Sequence, residues 1–225
     1  MSKIIKPNSY SLSRRNFFAK SILGCASLYS APGLFAELLT KTPSQAEGPF
    51  YPNKLPLDTD NDLLILSDNI TPGIGEVTHL SGTITDIKGS PLKNALIEIW
   101  QVDGKGSYIH TESARYDQRD KNFQGYGKFL TGVKGEYYFR TIKPVSYPGR
   151  TPHIHVRVSF ENKILLTTQL YVAGESRNNN DFLLNRAGDH KDLLVTKFNP
   201  LKGSKINELQ AEFNIILGVT PEDTH

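Results

Sequence analysis

The run Tyr147-Pro148-Gly149-Arg150-Thr151-Pro152-His153-Ile154-His155 gathers a phenol, a guanidinium and two imidazoles into one short stretch. From His153 to Phe160, the residues Ile154, Val156 and Val158 alternate with His153, His155 and Arg157. A period of two is strand patterning, and in a strand residues i and i+2 share a face. Two rises of about 3.3 Å put the two His Cα atoms roughly 6.6 Å apart, close enough for both rings to reach one metal ion. Pro152 fixes the backbone at the start of the strand, and Gly149 allows a tight turn that brings Tyr147 back toward the imidazoles. The plainer alternative is an edge strand carrying two exposed histidines.

A second element lies upstream in Trp100-Gln101-Val102-Asp103-Gly104-Lys105-Gly106-Ser107-Tyr108-Ile109-His110. Here a strand pattern ends in glycine turns with Tyr108 just beyond them. Any one turn tyrosine is more often packed than functional, so Tyr108 gains weight only from the company of Tyr147, His153 and His155. Two phenols with two imidazoles differ from zinc sites, which favour Cys, His and carboxylate. A phenol ionises near pH 10, so a strongly Lewis-acidic ion must hold it as phenolate. Geometry and ligand type suggest ferric iron, while spacing alone leaves copper open.

Composition sets the frame for these residues. At 225 residues the chain can hold one sizeable domain, and ten Tyr and eleven Phe against one Trp suit β-rich packing. No apolar run reaches the roughly 20 residues of a spanning helix. The net charge of +3 arises from the N-terminus, where Lys3, Lys6, Arg14, Arg15 and Lys20 precede any acid. Without those five, 26 − 5 = 21 bases face 23 acids, so the rest of the chain is near −2 and offers no basic patch for nucleic acid. Ser13-Arg14-Arg15-Asn16-Phe17-Phe18 before a modestly apolar stretch to Ala36 resembles a twin-arginine export signal. This predicts a periplasmic or secreted protein, cleaved after Ala26 or Ala36. Either cut removes Cys25 and leaves no thiol.

The chain then divides into an export segment 1–36, an arm 37–78 rich in Pro, Asp and Asn, a body 79–219 and a tail 220–225. Strand patterns are predicted at His79–Ile87, Ala95–Val102, Gly127–Thr131, Glu136–Ile142, His153–Phe160 and Ile164–Val172, with a closing strand at Ala211–Leu217. Residues 173–210 read as loop, with a short helix near Lys205–Leu209. Short strands separated by turn chemistry predict an all-β fold, an antiparallel β-sandwich with a loop-rich N-terminal arm.

Several elements appear in a telling order: Glu47-Gly48-Pro49, Ala95–Gln101, Gly106-x-Tyr108-x-His110, Arg140-Thr141-Ile142-Lys143-Pro144, Tyr147-Pro148, Arg150–His155 and Thr168-Gln169-Leu170-Tyr171. Together they resemble the intradiol ring-cleavage dioxygenases of catechol, protocatechuate and hydroxyquinol, over roughly residues 43 to 175. The resemblance implies a non-haem Fe(III) held by Tyr108, Tyr147, His153 and His155, with Arg150 as the active-site arginine. Gln169 matches a glutamine lining the substrate pocket, and His110 is placed behind the ligands or at the surface. Substrate and O2 are then the partners, and both oxygen atoms enter a catechol-type ring to give a cis,cis-muconate-type diacid. Tyr147 would give up its place to the substrate and act as base, and Arg150 would stabilise charge on the ring.

No nucleotide-binding glycine motif is visible, so no nicotinamide or flavin is expected. The short Tyr147–His153 link and the lack of a long helical region upstream depart from the cytoplasmic members. They imply an open pocket, and they leave the mode of any homo-oligomer unspecified. The competing classes are an exported transthyretin-like sandwich that binds without catalysis, and a zinc or copper enzyme.

Overall fold

Alternation along the chain builds two sheets. The computed structural model describes residues 38–66 and 71–218; the export segment 1–36 and the tail 220–225 lie outside the described residues. The strands are β1 (Val77–Asp86), β2 (Leu96–Trp100), β3 (Tyr126–Leu130), β4 (Glu136–Ile142), β5 (His153–Phe160), β6 (Lys163–Val172), β7 (Val195–Thr196), β8 (Asn199–Pro200), β9 (Leu209–Glu212) and β10 (Ile215–Leu217). One short helix, α1 (Phe182–Arg186), lies between β6 and β7. In the first sheet β1 is flanked by β4 on one side and by β9 and β10 on the other, with β8 outside β9. The second sheet has the order β3-β2-β5-β6-β7.

The all-antiparallel arrangement expected from the sequence is corrected here, because both sheets are mixed. β9 and β10 run parallel to β1, and β7 runs parallel to β6. A parallel neighbour requires a crossover of a dozen or more residues rather than a hairpin. The segment between β6 and β7, which carries α1, supplies one such crossover. The expected closing strand is also interrupted. Phe213 N–H still donates to the Ser81 carbonyl, but at the next step the Asn214 side chain replaces the ladder, accepting from the Thr83 amide at 2.9 Å. No helix forms at Lys205–Leu209, since the Ser204 hydroxyl accepts from the amides of Ile206 and Glu208 and closes a turn instead.

The core lies between the sheets. Ile97, Ile99, Ile154, Val156 and Val158 from one sheet meet Leu80, Ile84, Phe139 and Ile215 from the other, all fully buried. Each such side chain contributes about 1.5–3 kcal/mol by leaving water. The arm then ties the sheets together from outside. Thr42 N–H donates to the Ile216 carbonyl in one sheet, and Gln45 N–H donates to the Thr167 carbonyl in the other. From Gln45 to Tyr51 the arm packs over the outer face of β2, β5 and β6. His153 and His155 are therefore buried although they point away from the core.

Candidate active site

Each donor is delivered by a local device legible in its own stretch of chain. Pro148 and Gly149 form a β-turn in which Arg150 N–H donates to the Tyr147 carbonyl at 3.0 Å and Gly149 takes a φ of +82°. That turn sets Tyr147 and Arg150 side by side ahead of β5. In the 103–107 loop one carboxylate oxygen of Asp103 accepts from the amides of Lys105 (2.8 Å) and Ser107 (3.0 Å). Gly106 supplies the positive φ, +81°, and the chain leaves this loop with Tyr108 pointing inward. On β5, the two-residue repeat puts both imidazoles on one face.

The donor atoms meet. Tyr108 Oη is 2.9 Å from His155 Nε2 and 3.3 Å from His153 Nε2, and the two Nε2 atoms are 3.2 Å apart. The Tyr147 ring lies 5.3 Å from that of Tyr108 and 5.5 Å from that of His153, half-buried at the mouth. His153 donates Nδ1–H to the Thr151 carbonyl at 2.7 Å, which leaves its Nε2 as a lone pair aimed into the cluster. Burial lowers the His153 pKa to about 3, helped by the Arg150 charge, and pushes His155 well below the usual imidazole range. Both rings are thus neutral at any ordinary pH.

Burial first, and then the neighbouring Tyr147 phenol, raise the Tyr108 pKa well above 10. A bare pocket would keep that phenol protonated, and His155 Nδ1 is buried without a hydrogen-bond partner, so three polar atoms crowd within 3.3 Å with no bond from the protein to set the His155 tautomer. A cation at the centre resolves the crowding by giving every lone pair one partner and reversing the push on Tyr108. The residues therefore fit a hard, strongly Lewis-acidic metal ion. Among the described residues no three His, Cys, Asp or Glu side chains cluster in a way that could hold a metal, so the phenols are what complete this donor set.

Arg150 is buried beside Gln169 and Tyr171. Its Nε donates to Asp181 at 2.8 Å, and its Nη2 donates to Gln169 Oε1 at 2.6 Å, Tyr171 Oη at 3.2 Å and Asp181 at 3.3 Å. Burial opposes the guanidinium charge, but the bonds to Asp181 outweigh it and raise the Arg150 pKa. Gln169 sits opposite His155 on β6 and uses both ends of its amide, since Nε2 also donates to the Ala46 carbonyl at 3.0 Å. His110 is buried rather than at the surface; its Nδ1 accepts from Glu112 N–H, and its ring lies 5.9 Å from Phe50.

Four contributors escaped the sequence reading. Asp181 ion-pairs with Arg150 from a segment read as loop. Trp100, opposite His155 on β2, stacks on that ring at 4.8 Å with planes 10° apart and so fixes its orientation. Phe50 in the arm stacks on Tyr108 at 5.0 Å, roofing the cluster. Arg157 pairs with Glu47 of the arm and lies 4.0 Å over Tyr51, whose hydroxyl donates to Glu98 at 2.9 Å; these contacts hold the arm on the sheet. The alternation of β5 marks Arg157 as a partner of the histidines in the sequence. The other three are long-range contacts with no local signature.

Comparison with known proteins places this arrangement. The family described as Dioxygenase matches residues 46–219. The chain is 32% identical over 155 residues to the protocatechuate 3,4-dioxygenase beta chain of Burkholderia cepacia, covering 64% of this chain and 65% of that protein. It is 32% identical over 187 residues to the catechol 1,2-dioxygenase of Acinetobacter baylyi, covering 72% of this chain and 58% of that protein. The chain thus spans less than two thirds of the length of either relative. Among solved structures, the dioxygenase domain of a dioxygenase carbohydrate-binding fusion from Streptomyces sp. SirexAA-E is 31% identical, with a TM-score of 0.62, 80% of this chain covered and 100% of that one.

Proposed function

Because this chain belongs to the intradiol ring-cleavage dioxygenase family, we propose that it inserts both atoms of O2 into a catechol-type ring to give a cis,cis-muconate-type diacid. The observation that carries this reading is the meeting of Tyr108 Oη, His153 Nε2 and His155 Nε2 within 3.3 Å of one another, beside Tyr147 and Arg150. Non-haem ferric iron held by Tyr108, Tyr147, His153 and His155 would supply the Lewis acidity that keeps catechol oxygens ionised and draws electron density from the ring.

The chain's own groups do the rest. The Thr151 carbonyl and the Trp100 ring fix the two imidazoles. Tyr147, the more exposed phenol, takes the substrate's hydroxyl proton at its Oη. Arg150, kept cationic by Asp181, stabilises negative charge developing on the ring. Phe50 and the arm keep water from the buried side of the cluster. A binding module without catalysis has no support from the family match.

The short Tyr147–His153 turn and the near −2 charge beyond the first 36 residues favour uncharged catechols and hydroxyquinol over protocatechuate. The Arg14-Arg15 segment supports export of the folded protein. Oxygen uptake by the purified protein with catechol, substituted catechols, hydroxyquinol and protocatechuate tests the proposal. Diacid products are expected, with protocatechuate no better than catechol. Yellow semialdehyde products, or no turnover of any catechol by iron-loaded protein, overturn it.

A further inference from the structure

We infer that Asp181 is a positioning residue, holding the Arg150 guanidinium so that Nη1 alone is left to face the reacting ring. The inference rests on the ring-cleavage reading above and adds a residue from outside the motifs that carry it. Arg150 has three guanidinium nitrogens. Nε and Nη2 are used up on Asp181, Gln169 and Tyr171, whereas Nη1 has no hydrogen-bond partner among the described residues. Asp181 grips the Nε/Nη2 edge as a two-oxygen fork, and a planar group held along one edge has its remaining nitrogen fixed in direction. Lysine could not be fixed in this way.

Asp181 is itself over-determined. It is 3% exposed, and its carboxylate accepts from Arg150, from the Thr151 amide at 3.2 Å, and from the Leu183 and Leu184 amides at 3.1 Å each as the N-cap of α1. Asn178, three residues before it, accepts from the Thr151 hydroxyl at 2.7 Å. The crossover between β6 and β7 is therefore bolted to the Arg150-Thr151 pair. The same Thr151 turns its carbonyl to His153 Nδ1. Charge makes a counterion necessary. A buried guanidinium beside a metal cation would be repelled by it and poorly solvated, and a carboxylate on its Nε/Nη2 edge relieves both costs while leaving Nη1 unpaired.

The surroundings of Asp181 contain donors only, and this separates its two roles experimentally. In Asp181→Asn the amide keeps one oxygen for the α1 amides, as asparagine is a good N-cap. Its NH2 must then face Arg150 Nε–H and the Thr151 N–H, a donor against donors, and the guanidinium swings away. In Asp181→Glu the anion is retained for Arg150, but the longer side chain is a poor cap.

The test compares both variants with the wild-type full chain by steady-state kinetics on catechol, by Tm, and by mass-spectrometric labelling of Arg150 with phenylglyoxal. Asp181→Asn is expected to lower Tm, because the buried guanidinium loses its counterion, to keep iron, to lose about 10²-fold in kcat with little change in KM, and to label at Arg150 several-fold faster. Asp181→Glu is expected to keep most of kcat and the slow labelling, with Tm lower by about 2–4 °C for the lost cap. Wild-type kcat and labelling in Asp181→Asn overturn the inference. Equal losses of kcat in both variants with slow labelling in both overturn it too, by reducing Asp181 to a fold residue. If the wild-type protein turns over no catechol, the ring-cleavage reading fails by itself, and labelling still decides whether Asp181 holds Arg150.

Discussion

His153 lends itself to a quantitative test, because its burial, its fixed tautomer and its role as a proposed ligand combine in one titration. In the folded, metal-free protein its pKa lies at about 3, against 6.5 for an ordinary histidine. The unfolded chain therefore binds the proton first as pH falls. His153 costs no stability above about pH 6.5, and stability drains away between there and pH 3. Each pH unit inside that window costs about 1.4 kcal/mol for one proton, so at pH 4 the loss from His153 alone is about 3 kcal/mol. The assay is urea unfolding of chelator-treated protein at pH 7, 6, 5 and 4, comparing wild type with His153→Gln. The variant is less stable throughout, so the slopes carry the information. The slope of stability against pH should be shallower in His153→Gln by about 1.4 kcal/mol per unit below pH 6. Identical slopes would refute the claim that His153 is held neutral by burial, and with it the argument that its Nε2 stays free for metal in mildly acidic surroundings.

Arg150→Lys keeps a charge but loses the fork to Asp181, so iron and colour should survive while turnover falls about 10²-fold; near-normal turnover would make Arg150 structural. Iron-loaded protein should be red to brown from phenolate-to-iron charge transfer, a band that Tyr108→Phe shifts or weakens and that His155→Ala abolishes along with most of the iron; colourless protein with stoichiometric zinc would sink the metal assignment. Replacing Arg14 and Arg15 together by Lys should retain the folded protein in the cytoplasm, as cell fractionation would show, and undiminished export would remove the twin-arginine reading.

The arm shows how the fold shields this chemistry. Holding Arg157 and Glu98 largely out of water beside His155 is costly unless each charge is paired. Here Glu98 accepts from Tyr51 at 2.9 Å and from Tyr126 at 2.6 Å, while Arg157 meets Glu47. The roof over Tyr108 thus depends on a polar network rather than on apolar contact alone.

The sequence by itself determined whatever depends on neighbours a few residues away. A two-residue repeat specified β5 from His153 to Phe160 and put both imidazoles on one face. Pro148-Gly149 specified the turn that returns Tyr147, and Asp103-Gly104-Lys105-Gly106 specified the loop that presents Tyr108. The order of these elements was enough to reveal the family. Only the tertiary structure decided what depends on segments brought together from afar. The parallel placement of β9, β10 and β7 follows from long crossovers, and no local pattern encodes their direction. Both faces of β5 are buried because an arm without periodicity lies over one of them, a covering that alternation alone does not specify. Gln169, legible as a candidate pocket residue, turned out to be held at both ends by partners from the arm, β6 and the Arg150 turn. Asp181 stands in a polar run whose composition says loop. Its pairing with Arg150 arises only when the crossover folds back, because burying a guanidinium requires an anion from wherever the chain can bring one.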